Sequence, residues 1–259
     1  MIGPTALSIR RNIVIAALVL LPTTAALGAC GSASGEQGTP ITQAPTPSPP
    51  ASNVDPSNFV RRVDNPYFPL RPGTTYRHRG IKEGKRAVDV FAVTHRTKDV
   101  LGVPTTVVDD RAYLDGRLEE ISRDWYAQDR QGNVWYFGET IKEFDPQGHS
   151  IKAKGAWQAG VGGARPGIVM PGEPKVGDTF RPEYDRGNAE DVYRILDLSA
   201  RVTVPYGSFR NVLVMSEQSR LEPGVLGLKF HARGFGQIKE SVPQGPQETL
   251  GLASITQGR

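Results

Sequence analysis

From Phe59 onward, apolar and polar residues alternate. In "AVDVFAVTH" (87–95), Val88, Val90 and Ala92 fall on one side and Asp89, Phe91 and Val93 on the other, which is the period of two that a strand imposes. "TTVVDDRAYLDGRLEEI" continues the pattern. It sets Asp115-Gly116, a dipeptide suited to a tight type I′ turn, between Tyr113-Leu114 and Leu118. Gly and Pro recur at short intervals, and no long stretch holds a helical stripe. The best helical candidate is "AEDVYRILDLS" (189–199), where Val192, Ile195 and Leu196 can share a face.

An internal match assigns that segment to a strand instead. "PGTTYR" (72–77) pairs with "VGDTFR" (176–181), and "VDVFAVTHRTKDVLGVP" with "EDVYRILDLSARVTVP". "TTVV" pairs with "NVLVM", and "WYAQDRQGNVWYFGE" with "FHARGFGQIKES", all in one order and about 101 to 106 positions apart. Residues 70–140 and 174–241 thus read as two copies of one antiparallel meander. A connector (141–173) lies between them and a tail (242–259) follows. The predicted fold is a single all-β domain over 59–259, barrel-like or a two-sheet sandwich, since two meanders must cover their edges. The connector is long and Gly-rich, and connections of that length are usually functional or carry structure of their own.

Aromatic residues concentrate in one place. "DWYAQDRQGNVWYFGE" (124–139) holds five rings, in a chain that is 8% aromatic. Alternation puts Trp125 and Tyr126 on opposite faces of the first strand, and Tyr136 opposite Trp135 and Phe137 on the second. One face packs the core; the other must meet a second layer or a ligand. Trp125, Tyr126, Trp135, Tyr136, Phe137 and Trp157 of the connector are therefore the candidate ligand-binding residues, an aromatic groove suited to lipid, glycan or peptide.

The N-terminus gives an address. Arg10 and Arg11 precede an uncharged apolar run, Ile13 to Leu21, too short for the roughly 20 residues of a spanning helix. Residues 1–29 read as a signal peptide. The run ends in Leu27-Gly28-Ala29-Cys30, which resembles the lipobox of bacterial lipoproteins. That resemblance implies that Cys30 becomes the mature N-terminus, carries a diacylglycerol, and holds the protein on the outer side of the cytoplasmic membrane. Cys30 is the sole cysteine, so no disulfide can form within the chain. Residues 30–58 are rich in Pro, Ser, Thr and Gly and read as a disordered spacer.

Charge adds little. Loss of Arg10 and Arg11 lowers the formal net charge from +4 to about +2, with no basic block to follow a nucleic-acid backbone.

The residues for chemistry are sparse. His78, His95, His149 and His231 are scattered without cysteine partners, so no zinc site is written. No nucleophile elbow or P-loop occurs. "AGVGGARPG" (159–167) holds a fragment of a glycine fingerprint, in which Arg165 occupies the third glycine position. It reads as a turn-rich connector, with an anion nest as the sharper alternative. "DRQGN" (129–133) reads as a hairpin turn in preference to a calcium loop. Asp109-Asp110, Asp124 and Glu139 are the candidate paired carboxylates, weighed against the usual wet-face position of acids on strands.

"NPYFPLRPGTTYRHRG" together with "DWYAQDRQGNVWYFGE" resembles a group of uncharacterised secreted lipoproteins of actinobacterial type, over most of residues 65–240. The resemblance implies an exported, surface-held domain and no particular reaction. The expected function is a membrane-tethered binding module for a hydrophobic, glycan or protein partner, without cofactor or metal. The alternatives are an envelope hydrolase working through carboxylates near the aromatic hairpin, and an assembly factor with no small-molecule site.

Overall fold

A computed structural model describes Pro47, Pro50 and residues 53–258. The segment expected to be a signal peptide, with Cys30, lies outside the described residues. Among the described residues a single 3-10 turn, Pro56–Asn58, is capped by the Asp55 side chain. Sixteen strands follow: β1 (Phe59–Val60), β2 (Thr74–Lys82), β3 (Lys85–Val100), β4 (Val103–Leu114), β5 (Arg117–Asp129), β6 (Val134–Phe144), β7 (Ser150–Ile151) and β8 (Trp157–Gln158) in the first half. The second half holds β9 (Arg165–Met170), β10 (Thr179–Phe180), β11 (Glu183–Tyr184), β12 (Asp191–Val204), β13 (Gly207–Ser219), β14 (Leu226–Ala232), β15 (Gly236–Gln244) and β16 (Glu248–Gln257). The connector thus carries strands of its own, and the ambiguous segment 189–199 is strand, within β12.

All pairings are antiparallel, in one sheet of order β10-β12-β13-β14-β15-β16-β2-β3-β4-β5-β6-β9-β11. Two runs of consecutive hairpins, β2 to β6 and β12 to β15, are joined edge to edge by β16, which pairs with β15 and with β2. The runs match in detail. Tyr76 lies opposite Phe91 with rings edge-on at 6.1 Å, and Phe180 lies opposite Tyr193 with rings edge-on at 5.9 Å. Between Asp124 and Tyr126 the facing strand runs from Glu139 to Tyr136, one residue more. Between Lys229 and His231 it runs from Glu240 to Gln237, again one more. Each is a bulge, which bends the strand and adds local twist.

The sheet curls far enough that its two ends meet through covalent chain. Phe180 belongs to the β10 end and Glu183 to the β11 end, so Arg181 and Pro182 alone cross the seam. Gly167 permits the crossing, because a Cβ there would overlap the Arg181 carbonyl oxygen. The hydrogen-bonded path is open at the seam; the wall is continuous.

Alternation then sorts residues to two sides. On β2, Tyr76 and His78 are buried while Arg77 and Arg79 are exposed. On β3 the buried positions are Ala87, Asp89, Val93 and Val100, and Val88 and Val90 are half-buried. The inside is therefore mixed in polarity, not an apolar core throughout.

The joint between the runs depends on a close approach. A side chain at Gly80 on β2 would collide with the Thr249 carbonyl of β16. Gly80→Ala is expected to cost about 2–3 kcal/mol of overpacking, lowering Tm by roughly 4–12 °C for a domain of this size, as measured by differential scanning calorimetry.

Candidate functional site

The curled sheet encloses a cavity of about 800 Å³, counted with its mouth. One part of its wall is apolar: Phe68, Leu70, Tyr76, Phe91, Tyr126 and Phe235, with Val169 of β9 and Tyr193 of β12 closing the far side. The other part is polar, with Asp110, Glu120, Asp124 and Glu139 from the first run, and Lys229 and His231 from the second. A smaller recess of about 480 Å³ shares Asp110 and Glu120 and continues past Asp89, Glu240 and Glu248.

Segment 63–70 forms part of the wall and is pinned to both runs. Val63 and Leu70 bridge to each other. The buried Asn65 amide donates to the carbonyls of Gly132 (2.9 Å) and Pro171 (3.0 Å), and its backbone N–H donates to Gln128. On the other side His231 Nδ1 lies 3.1 Å from the Tyr67 carbonyl. A carbonyl can only accept, so Nδ1 carries the proton and Nε2 is left with its lone pair. Nε2 is buried without a hydrogen-bond partner among the described residues. Burial drives the His231 pKa down to about 3, so the ring is a neutral acceptor at ordinary pH.

The candidate carboxylates divide by face. Asp109 faces outward, where Arg123 donates to it at 3.0 Å and Arg96 also binds it. Asp110 faces the cavity. Asp124 and Glu139 lie directly opposite one another on β5 and β6, both buried. Asp124 accepts from the Tyr136 hydroxyl and the Ser122 hydroxyl, each at 2.9 Å. Burial, then the neighbouring Asp124 charge, holds the Tyr136 hydroxyl well above its ordinary pKa, so it stays a donor. In the second run Lys229 lies 3.1 Å from Glu217 and 3.4 Å from Glu240, and Tyr193 donates to Glu217 at 2.9 Å.

Of the six aromatic residues proposed from sequence, Tyr126 lines the cavity. Tyr136 stacks on Tyr126 (4.9 Å) and Trp157 meets Tyr136 edge-on (5.3 Å), with the Trp157 indole N–H donating to Glu183. Trp135 and Phe137 pack against Phe59. Trp125 is buried under the Lys98 ammonium, 3.3 Å from its ring centroid. The hairpin's two aromatic faces thus meet different layers: β1 on one side, and the cavity wall with the connector on the other.

The turn "DRQGN" is held by Asp129, which accepts from the backbone of Gln131 and Asn133 and from the Trp135 indole. Arg165 is engaged elsewhere than in a nest, donating to the Pro50 carbonyl while Arg181 donates to that of Pro47. His95 and His149 are exposed.

Sequence reading missed the contribution of the second run: His231, Lys229, Tyr193 and Phe235. A signal for two of them was present, since the matched strings set His231 against Tyr126 and, extended one position upstream, set Lys229 against Asp124.

No protein-family model matches the chain, and no curated protein sequence matches it. Among solved structures it is similar to a candidate exported protein with a YmcC-like fold from Bacteroides fragilis. The two are 13% identical with a TM-score of 0.43, over 74% of this chain and 99% of that one. It is also similar to a candidate lipoprotein from Parabacteroides distasonis, 12% identical with a TM-score of 0.39, over 73% and 98% of the two chains.

Two titrations follow from the burial. The His231 signals in ¹⁵N NMR should keep the neutral, Nδ1-protonated pattern between about pH 8 and 5, where an unperturbed imidazole gains its proton. Asp191 is fully buried, and burial followed by the charges of Glu183, Glu217 and Glu222 pushes its carboxyl well above the usual range. Between the ordinary value near 4 and the raised one, the native chain holds a proton that the unfolded chain has lost, so stability falls as pH rises through that window. Asp191→Asn should therefore raise Tm at about pH 8, by an amount that shrinks toward pH 5.

Proposed function

We propose that the protein is a lipid-anchored envelope binding module that holds a small amphiphilic molecule in the cavity of its curled sheet. One observation carries the reading: a single cavity whose wall is aromatic on one part and buried and polar on another, built jointly by both runs. Ligand sites combine apolar area with a few polar groups that orient the bound molecule, and this wall has that division. Tyr126 is proposed to contact the ligand, with Tyr136 and Trp157 setting its position from behind. Trp125, Trp135 and Phe137 support the same hairpin from its other face. The matching registers of the two runs support their origin as copies of one unit, and the lipobox supports the anchor at Cys30.

A second reading, an envelope hydrolase, is favoured by the direct opposition of Asp124 and Glu139 at the cavity. Under it, Asp124→Asn would abolish turnover of an envelope substrate.

Native mass spectrometry of protein extracted from its own membranes tests the first reading. A retained small amphiphile is expected, and Tyr126→Ala should reduce its occupancy severalfold, as loss of a buried aromatic contact weakens binding. Protein that comes off uniformly empty, with no ligand in a lipid extract, would sink the reading. Cys30→Ser should move the protein from the membrane fraction to the soluble fraction, since two acyl chains are what stable anchoring requires.

A further inference from the structure

The two runs place different charges at matching positions, and the difference specifies the ligand. Register equates Asp110 with Glu217, since each lies opposite the cavity aromatic of the preceding strand, Phe91 or Tyr193. It equates Glu139 with Glu240, and Asp124 with Lys229, on either side of the matched bulges. In the second run this frame holds an ammonium between two carboxylates, with Lys229 at 3.1 and 3.4 Å. In the first run the same frame has a carboxylate at the central position.

We infer that the cavity takes an amphiphile whose polar end is a primary ammonium group, seated at Asp124 between Asp110 and Glu139, the counterparts of the Glu217 and Glu240 that hold Lys229 in the second run. The inference rests on the reading of the cavity as an amphiphile site. Two further observations point the same way. The polar wall presents the carboxyl side chains of Asp110, Glu120, Asp124 and Glu139, oxygens able to accept the hydrogen bonds that an ammonium donates. Independently, His231 presents a buried lone pair at Nε2 that has no donor. An ammonium supplies three N–H donors, whereas a quaternary amine supplies none. The aromatic wall then takes the apolar body, and Tyr126 and Phe68, with rings 5.2 Å apart, lie between the two parts.

The test uses the full mature chain carrying Cys30→Ala, so that no acyl chain of its own competes. Binding of dodecylamine, laurate and dodecyl glucoside, each below its micellar concentration, is measured by isothermal titration calorimetry. Dodecylamine should bind tighter than laurate by about tenfold or more, the scale of a buried charge pair. Asp124→Lys, which builds the second run's cation into the first, should lose dodecylamine by a similar factor. Asp124→Asn, of nearly unchanged shape, should weaken it in the same direction and serves if the lysine variant does not fold. Laurate or the glucoside binding as tightly as the amine would overturn the inference while leaving the cavity an amphiphile site. Amine affinity unchanged in both Asp124 variants would do the same. Failure of all three probes to bind would instead remove the underlying reading.

Discussion

Lys229, held between Glu217 and Glu240 inside the sheet, is the interaction on which the rest of the interior turns. Removing a carboxylate from water costs several kcal/mol after relaxation, and only a close, well-bonded counter-charge recovers it. Here the recovery is local and three-way, with the Tyr193 hydroxyl taking a further lone pair of Glu217. Burial still leaves the Glu217 carboxyl raised above its usual range, although Lys229 opposes that shift. An interior built this way cannot collapse like an apolar one. Its carboxyl groups line part of the open space that the curled wall leaves, so the cavity takes its polarity from what the sheet has been made to bury.

Much of this architecture was legible in the chain. Period-two alternation gave the strands, and the matched strings moved 189–199 from helix to strand, because its counterpart at 87–97 alternates without ambiguity. What alternation cannot give is which face turns inward. Val88 and Val90 read as well as core positions as Asp89 and Phe91 do, yet it is Asp89 that is buried. Acids on strands usually face water; Asp110, Asp124 and Glu139 do not, because the sheet closes over them. That closure depends on Arg181-Pro182 crossing the seam, a contact between chain ends of the sheet that no local pattern encodes. Nor does any local signal announce that His231 will donate its Nδ1–H to a carbonyl 164 residues away in sequence.

The aromatic hairpin shows the same division between local and global. Its turn is self-contained: Asp129 gathers the backbone of Gln131 and Asn133 and the Trp135 indole, all within a few residues, and the sequence displayed it plainly. Its faces are not self-contained. One is covered by Phe59 from upstream, and the other by Trp157 from the connector. Rings that looked like a candidate surface are distributed around the hairpin, and only Tyr126 reaches the cavity.

β16 has a bearing on how the chain is assembled. It is the last strand among the described residues, yet it sits in the middle of the sheet, between β15 and β2. The first run can fold its hairpins as they appear, but β2 keeps an open edge until β16 arrives about 170 residues later, and long-range pairings of that kind are slow to form. During that wait the edge is a target for any other extended chain. Arg77 and Arg79, exposed on β2 itself, discourage such partners. Biogenesis of this fold is therefore a race decided at its centre, with the charges on the waiting strand holding its place.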